Sequence, residues 1–517
     1  MQRHKTFIYI TLSVFIILFA IFSFDGYYFY DDYSYAYYAY HLQNGTYQVA
    51  TPDIFAHRWG IIAPLALLYY VFGISDAVNI ILPLLSTLVS LFLVFRFIKN
   101  FDNSLSIILV LLFIGLDFYT LFFANKLYPD VLLTTLAFAS VTIFLERQNS
   151  IQKAFLFIFL SFWAFLCKEL IIYFIPFYIG VFIWDLKSKK HLLFWVYSIF
   201  FGILFTIAYI SIYKYYTGNW FYRFSLIQES HYITSFSYFD KPFIHTIHRI
   251  TYEPFFMFIN TGLMITMAGG LALFCFPKAI LIKEIKFLLW LVLGATLMFW
   301  FFSTHFTAYN PIGLFPRHIL FLMPFFAILS GYAISLQNKK ITLTISLIWA
   351  LSGVYAYTSV GIKYSLLYMI LALGLSITLF IPKLFKLYYI FLGLILLAHP
   401  VYTMLKSTET GYRDEKTLVQ TYLKQLSKPS IIFTDDKLSS GYLWYYGFQK
   451  PTNIEFKEFT EYEKYRNTTK EVYVLLNEYS VEYFDLIGYP PPVYIQKTPQ
   501  EWKKIAELGK IILYKKP

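Results

Sequence analysis

The chain has 517 residues, of which 58% are hydrophobic and 22% aromatic, while only 14% are charged. Together with a mean hydropathy of +0.57, this composition excludes a soluble globular protein and indicates a polytopic membrane protein. The formal net charge is +12, but the basic excess lies in short segments between apolar stretches, which predicts contact with membrane lipid and no binding of nucleic acid. Cys167 and Cys275 both fall in apolar stretches, which argues against a disulfide framework.

Apolar windows long enough to span a membrane occur along most of the chain. The first, Thr6 to Phe24, lacks a small-residue cleavage site, so we interpret it as a retained helix and not as a signal peptide. The fourth to sixth windows are short for a hydrocarbon core of about 30 Å. We predict about thirteen transmembrane helices, near 6–24, 78–97, 104–123, 130–146, 151–167, 170–185, 191–213, 255–276, 286–303, 317–336, 341–359, 364–381 and 385–403.

Loop charge predicts the orientation. With the N-terminus in the cytoplasm, sixteen basic residues fall in short inner loops and nine in the longer outer segments, as the positive-inside rule requires. An odd number of spans then places the C-terminal tail outside the cell, together with the segments 25–77 and 214–254. We therefore predict a protein of the inner (plasma) membrane whose C-terminal domain is periplasmic or extracytoplasmic.

The first outer loop, 25–77, is too long for a simple connection. It contains a second apolar stretch from Ile61 to Phe72, and twelve residues are too few to span as a helix. We expect this stretch to lie in the membrane interface or to re-enter the membrane.

The tail forms a separate unit, because fifteen of the thirty acidic residues lie in 402–517, where the long apolar runs stop. We divide the chain into a transmembrane module, 1–403, and a small soluble α/β domain, 404–517. In that domain "SIIFTDD" and "EVYVLLN" are typical of buried strands, "EWKKIAEL" is predicted to be helical, and "KIILY" is predicted to be a closing strand.

Two adjacent acids, Asp31 and Asp32, follow the first span within "YDDYSYAYYAYHLQNG". The plain interpretation is a pair of hydrated acids in an interfacial aromatic belt. However, Asp31 and Tyr35 are four residues apart and share a helix face. A carboxylate among aromatic rings is partly desolvated, which raises its basicity and suits it to general-base work.

Cations on the predicted outer face form the second group of candidates. Each alone can be an anchor whose charge reaches the membrane surface. Lys168 and Arg317 are followed directly by further membrane sequence, which places them at the level of the lipid head groups. Cations gathered there suit an anionic lipid head such as a phosphate or pyrophosphate. The group comprises Arg58, Lys126, Lys168, Arg223, Arg249 and Arg317.

Further acids and histidines complete the candidates. Asp130 follows Pro129 on the second outer turn, where it can also act only as a partner of the helix dipole. Asp117 lies in mid-span and needs a partner or a polar cavity. The histidines of the predicted outer side, together with the acids, have the donor chemistry for a divalent metal, although no spacing is diagnostic; they are His57, His231, His245, His248 and His305. Asp130 and His57 are the metal-ligand candidates.

The ordered set of motifs resembles the GT-C membrane glycosyltransferases, in particular the protein O-mannosyltransferase and aminoarabinose transferase superfamily. That family has Asp-Glu-x-x-Tyr in its first outer loop, then a Gly, then Lys-Pro-Pro-Leu and a short helix ending in Phe-Gly. This chain has "DDYSY", Gly45, "HRWG" and "APLALLYYVFG", followed by Asp130, "CKEL" and "PRHILFLMP". The resemblance covers roughly 1–400 and the soluble tail. Asp32 stands where Glu is usual, Arg58 where Lys is usual, and Trp59-Gly60 replace Pro-Pro.

The resemblance implies an enzyme that moves a hexose or pentose from a polyprenyl-phosphate carrier to a protein or glycolipid acceptor, with inversion at the sugar. It implies a catalytic role for Asp31 as general base, with Asp32 beside it. Substrate-binding roles then fall to Tyr35, Arg58, Lys126, Asp130, Lys168 and Arg317. A transporter or flippase of a lipid-linked substrate, a non-catalytic envelope assembly protein, and an O-antigen ligase or polymerase are the alternatives.

Overall fold

The computed structural model of the chain describes residues 2–27, 30–99, 101, 103–229, 238–239, 241–406, 410–465, 467–480 and 501–517. Up to residue 406 the described part is almost entirely helical. Its helices are α1 (Gln2–Phe22), α2 (Tyr30–Gln43), α3 (Trp59–Phe72), α4 (Asp76–Ile98), α5 (Ser104–Gly115), α6 (Phe118–Phe122), α7 (Pro129–Glu146), α8 (Ile151–Cys167), α9 (Ile175–Ser188), α10 (Leu192–Thr217), α11 (Tyr222–Glu229), α12 (Phe243–Thr251), α13 (Glu253–Asn260), α14 (Met264–Cys275), α15 (Lys283–Phe301), α16 (Met323–Ser335), α17 (Lys339–Ser359), α18 (Ile362–Phe380) and α19 (Phe385–Lys406).

Among the described residues, nine helical segments are long and apolar enough to cross a membrane, and the bent pair α5–α6 makes a tenth if it counts as one span. The remaining predicted windows correspond to α8, α14 and α16, which are apolar but shorter. The predicted fold class, a mostly helical membrane protein with a small C-terminal sheet, is confirmed, and the chain is an integral membrane protein. The count of thirteen spans and the orientation remain predictions.

The bend between α5 and α6 explains the acid within a predicted span. The two helices meet at about 50°, and Asp117 is the N-cap of α6. Its Oδ2 accepts hydrogen bonds from the Thr120 amide and hydroxyl, both at 2.8 Å. The expected partner of Asp117 is therefore local, since the carboxylate satisfies backbone that the break exposes.

The C-terminal part contains α20 (Tyr412–Thr421), α21 (Asp436–Gly441) and five strands, β1 (Ser430–Thr434), β2 (Ile454–Glu458), β3 (Glu471–Asn477), β4 (Lys503–Leu508) and β5 (Ile511–Lys515). The strand order is β2-β1-β3-β5-β4. β1 runs parallel to β2 and β3, whereas β5 runs antiparallel to β3 and β4.

One prediction for the tail was wrong. The stretch "EWKKIAEL" is not helical: Lys503–Leu508 is strand β4, and β2 was missed. Gly509 has φ +55° and begins a two-residue turn that pairs Leu508 with Ile511. Helix-forming Lys, Ala and Glu are overridden here by the hairpin, because the turn and the pairing with β5 decide the local structure.

The C-terminal sheet domain packs against the first outer loop, 25–77. One hydrophobic core contains side chains of α2 and α3 together with Leu418, Ile432 and Trp444 of the C-terminal part. A second, larger core holds the apolar helices together. The loop that carries Asp31 is thus covered on one side by the helical bundle and on the other by the sheet domain.

Candidate active site

The two adjacent acids lie in the first turn of α2, where the partial positive charge of the helix end favours them. Consecutive side chains on a helix point about 100° apart, so the two carboxylates contact different parts of the protein. Asp31 faces Arg317 in the segment that precedes α16, and Asp32 faces the start of α4. Both side chains are buried.

Asp31 forms an ion pair with Arg317. The Arg317 Nη1 donates to Asp31 Oδ2 at 2.6 Å, and the guanidinium lies over the rings of Tyr128 at 5.0 Å and Phe315 at 5.7 Å. Burial alone lowers the pKa of Arg317, but Asp31 and Tyr128 outweigh it and raise the pKa above its ordinary value. Arg317 is therefore a permanent cation that is held against the predicted base.

Asp130 forms a second ion pair, with Lys168, and both of these residues are buried. Pro129 opens α7, as predicted, and sets Asp130 in its first turn. The Lys168 Nζ donates to Asp130 Oδ1 at 2.7 Å, while Asp130 Oδ2 is buried and accepts no hydrogen bond from the described residues. Burial lowers the pKa of Lys168 to about 8; Asp130 opposes this shift, whereas Arg317 and Arg58 add to it.

Arg58 is the third cation. Its Nη1 donates to the Tyr35 hydroxyl, and its guanidinium lies over the rings of Tyr35 and Phe55. Burial raises the pKa of Tyr35, and Arg58, Asp31, Asp130 and Arg317 also act on it. The hydroxyl therefore stays neutral.

Gly60 explains how Arg58 and Lys168 come together. A Cβ on Gly60 would lie 2.5 Å from the backbone nitrogen and 2.6 Å from the sulfur of Cys167, the last residue of α8. The Trp163 Nε1 also donates to the Gly60 carbonyl at 2.9 Å. The glycine in "HRWG" thus permits close contact between α3 and α8 beside Lys168.

Six of the predicted site residues are therefore assembled in one cluster: Asp31, Tyr35, Arg58, Asp130, Lys168 and Arg317. The set contains three cations and two carboxylates, and the Glu169 carboxylate lies near enough for Arg58 to favour its charged form. Arginine and lysine are the side chains that bind phosphate, so three cations gathered at one place suit an anionic lipid head.

Two predicted site residues lie apart from this set. The Lys126 ammonium lies over the rings of Phe24 at 5.9 Å and Phe122 at 5.6 Å. Asp32 lines a separate small cavity of about 10 Å³ beside the start of α4, whose other lining residues are Phe24, Gly26, Tyr27, Asp76, Asn79, Asn125 and Leu127.

Sequence reasoning missed two residues of the site. His318 is buried, and its pKa lies well below the ordinary value because of burial and the nearby charges of Lys168, Arg317 and Arg58. The His318 Nδ1 lies 2.7 Å from the Gly313 carbonyl, to which it donates. Glu169 accepts from Arg223 at 2.6 Å. The strings "PRH" and "CKE" contain both residues, but spacing alone gave them no role.

The two predicted metal ligands, His57 and Asp130, have different partners. The His57 ring is enclosed between the Tyr213 hydroxyl at 3.1 Å and the Thr51 carbonyl at 2.9 Å, and its pKa is lowered to about 4, mainly by burial. Asp130 is bound to Lys168. Neither presents a set of metal ligands in the described part of the chain.

Another group could hold a metal ion. The ligand atoms of His245, His248 and Glu253 all lie within 4.8 Å of one another, at α12 and the start of α13. His305 contacts Thr304 instead, and His231 lies outside the described residues.

The remaining outer cations have structural partners. Arg249 is fully buried and donates to the carbonyls of Phe299, Trp300 and Ile312. Arg223 pairs with Glu169. Both hold segments of the bundle together and are not directed at the cluster of six.

Comparison with known proteins gives a likeness in fold without a likeness in sequence. No family model and no curated protein matches the sequence. The crystal structure of ArnT from Cupriavidus metallidurans in the apo state matches with a TM-score of 0.58 and 10% identity, over 99% of this chain and 98% of that one. ArnT from the same organism bound to undecaprenyl phosphate matches with a TM-score of 0.55 and 12% identity, over 99% and 97%. The chain therefore has, along its whole length, the GT-C fold of ArnT.

Proposed function

We propose that this chain is a membrane glycosyltransferase that moves a sugar from a polyprenyl-phosphate carrier to an acceptor hydroxyl at the outer face of the membrane. The observation that carries the proposal is the cluster of Arg58, Lys168 and Arg317 beside Asp31 and Asp130, in which Arg58 and Lys168 are buried and Arg317 is partly buried. The fold adds support, because one ArnT structure with this fold binds undecaprenyl phosphate.

The first step is an exchange of partners at Arg317. In the free protein its guanidinium is bound to Asp31 at 2.6 Å. A donor phosphate that enters the cluster competes for the same two-pronged group. When the phosphate takes Arg317, the Asp31 carboxylate loses this donor, and its Oδ2 is available to accept the proton of the acceptor hydroxyl.

The chemical step is a single displacement. Asp31 accepts the proton of the acceptor hydroxyl while the hydroxyl oxygen forms a bond to the anomeric carbon. The bond between that carbon and the phosphate oxygen breaks, and its electron pair leaves with the polyprenyl phosphate. Attack opposite to the leaving group inverts the configuration.

The cations contribute most in the transition state. The donor phosphodiester carries one negative charge and the leaving polyprenyl phosphate gains a second. Arg58, Lys168 and Arg317 stabilise this developing charge in a buried site, where electrostatic effects are large. Asp130 supports the acceptor, since its Oδ2 is an available acceptor for a second hydroxyl.

A metal ion belongs to the proposal as a separate element. Two imidazoles and a carboxylate suit zinc, and His245, His248 and Glu253 supply this set. We assign it no step in the reaction. It would fix α12 against α13.

Asp31→Asn tests the proposal. A strain that lacks the chain is complemented with wild type, Asp31→Asn or the exposed control Asp436→Asn, and its envelope glycoproteins and glycolipids are analysed by mass spectrometry. We expect one hexose or pentose to be missing in the deletion and in Asp31→Asn, and restored by the other two. The acceptor class, protein or lipid A or another glycan, follows from where the sugar is missing. Equal product from Asp31→Asn and wild type, at equal expression, would refute the general-base role.

A further inference from the structure

The C-terminal domain contacts the membrane module at the two chain segments that flank the acids of α2. One is the segment 24–27, which leads into α2, and the other is the start of α4. At these two segments polar and aromatic side chains form defined pairs, in addition to the hydrophobic core that α2 and α3 share with the C-terminal domain.

Asp76, the first residue of α4, is the centre of one contact. Its Oδ1 accepts from the Tyr412 hydroxyl at 2.7 Å and from the Trp444 Nε1 at 3.1 Å, and its Oδ2 accepts from the Lys416 Nζ at 2.6 Å. The Trp444 Nε1 also donates to the Tyr412 hydroxyl at 2.6 Å. We call these four residues the latch. A carboxylate with three donors from one domain specifies both distance and orientation.

The second contact lies at the carboxyl ends of the parallel strands β1, β2 and β3. Asn477, the last residue of β3, donates to the Thr410 carbonyl at 3.0 Å. The Thr410 amide in turn donates to Asp25 Oδ2 at 2.6 Å, and its hydroxyl donates to the Asp25 carbonyl at 3.0 Å. The order β2-β1-β3 reverses between β1 and β3, which is where open α/β sheets receive ligands. Here the same edge holds the segment that leads to α2.

Gly26 fits against the latch without any space for a side chain. It has φ +69°, and a Cβ there would lie 2.0 Å to 2.3 Å from three ring atoms of Tyr412. Next to it, the rings of Tyr27 and Trp444 meet edge to face at 4.9 Å. The loop backbone therefore lies directly on the aromatic side chains of the C-terminal domain.

α2 itself also rests on this domain. Phe448 contacts three tyrosines of α2, with ring centroids at 5.2 Å from Tyr40, 5.9 Å from Tyr33 and 6.0 Å from Tyr37. The helix is therefore held along its length as well as at its entry.

From this geometry we infer that the C-terminal domain positions the active site, with Asp76, Tyr412 and Gly26 as positioning residues that set where α2 presents Asp31. The inference rests on the proposed function for its effect on transfer, and on the contacts alone for its effect on α2. Asp31 must exchange partners with a donor phosphate and still meet the acceptor hydroxyl, so a displacement of about 1 Å in α2 slows transfer strongly. Binding of the lipid phosphate depends on Arg58, Lys168 and Arg317, which lie outside the latch.

Gly26→Ala and Gly45→Ala form the matched pair for the test. Both glycines have φ +69°, but a Cβ on Gly45 meets nothing within 4 Å. The two variants therefore share the backbone strain of a left-handed alanine, and only Gly26→Ala adds a collision with Tyr412. Asp76→Asn, which replaces an acceptor oxygen by a donor amide, gives a second perturbation, with the exposed ion-pair residue Glu507 as the Glu507→Gln control.

Three readouts on the full-length protein decide the matter. We expect Gly26→Ala and Asp76→Asn to lower the envelope product at least tenfold, to leave the affinity for undecaprenyl phosphate within twofold, and to raise amide hydrogen exchange over residues 30–43 at least fivefold. The two control variants are expected to match wild type in all three. Faster exchange confined to the C-terminal domain, or unchanged product at normal expression, would overturn the inference.

The two proposals fail in different ways. If the wild-type protein neither changes the envelope nor binds undecaprenyl phosphate, the proposed function fails, while exchange over residues 30–43 still decides whether the latch holds α2. If Asp31→Asn abolishes the product but Gly26→Ala and Asp76→Asn do not lower it, the general-base role stands and the positioning role is refuted.

Discussion

Lys168→Arg should change how the affinity for undecaprenyl phosphate depends on pH. The pKa of Lys168 is about 8 because burial and two neighbouring cations outweigh its pairing with Asp130. At pH 9 only about a tenth of the protein carries that ammonium. If the lipid phosphate requires the charge, the affinity of the wild-type protein falls about fivefold between pH 8 and pH 9, which corresponds to about 1 kcal/mol.

The arginine variant keeps its charge throughout this range. We therefore expect Lys168→Arg to bind with an affinity that is nearly constant from pH 7 to pH 10, even if its absolute affinity is lower because the geometry differs. Isothermal titration of detergent-solubilised protein with undecaprenyl phosphate measures both curves. Lys153, which pairs with Glu146 at the surface, provides the control Lys153→Arg, whose pH dependence should equal that of wild type.

Unfolding caused by deprotonation of Lys168 cannot explain a decrease of affinity at alkaline pH. Its pKa in the folded protein lies below the value of 10.5 in the unfolded chain, so between about pH 8 and 10.5 the unfolded chain binds more protons. In that window the contribution of Lys168 to the free energy of unfolding increases with pH. As the pH rises, the affinity for undecaprenyl phosphate is therefore expected to fall while the contribution of Lys168 to the free energy of unfolding increases. The same alkaline decline in wild type and Lys168→Arg would refute the assignment of Lys168 to the phosphate.

Two further outcomes follow from the geometry. Gly60→Ala should separate α3 from α8, lower the free energy of unfolding by about 1–3 kcal/mol, as overpacking does, and weaken the binding of undecaprenyl phosphate. Gly294→Ala, which has open space at its Cβ, should change neither quantity. Equal melting temperatures for the two variants would contradict the close contact at Gly60. The purified wild-type protein should retain about one equivalent of zinc after dialysis, measured by mass spectrometry of the metal. The double variant His245→Ala, His248→Ala should retain none. Equal zinc content in the two proteins would show that these histidines do not form a metal site.

The sequence was sufficient to predict features that depend on neighbours along the chain. Pro129 begins a helix because its ring suits the first helical position, and Asp31 and Tyr35 share a face because α2 is a continuous helix. Composition and apolar length led to the membrane class. Each of these inferences uses a period or a boundary that a short stretch of residues determines.

Partners across the fold could not be predicted in this way. Asp31 and Arg317 are 286 positions apart, and nothing in either stretch specifies the other. Lys126 belongs by charge with the phosphate-binding residues, yet its ammonium lies on aromatic rings. The misassigned β4 has the same origin, since its pairing with β5 outweighs the helical preference of its residues.

In the proposed reaction, the pair between Arg317 and Asp31 has consequences both before and after transfer. Without a donor, Arg317 occupies Asp31 Oδ2, so this oxygen does not take a proton from water. After transfer, the leaving polyprenyl phosphate carries one more negative charge than the donor and is therefore the species that the three cations bind most strongly. Release would be slow unless another anion took its place. Asp31, which has gained a proton, loses it to solvent and can again bind Arg317, so the same ion pair that restrains the base also displaces the product.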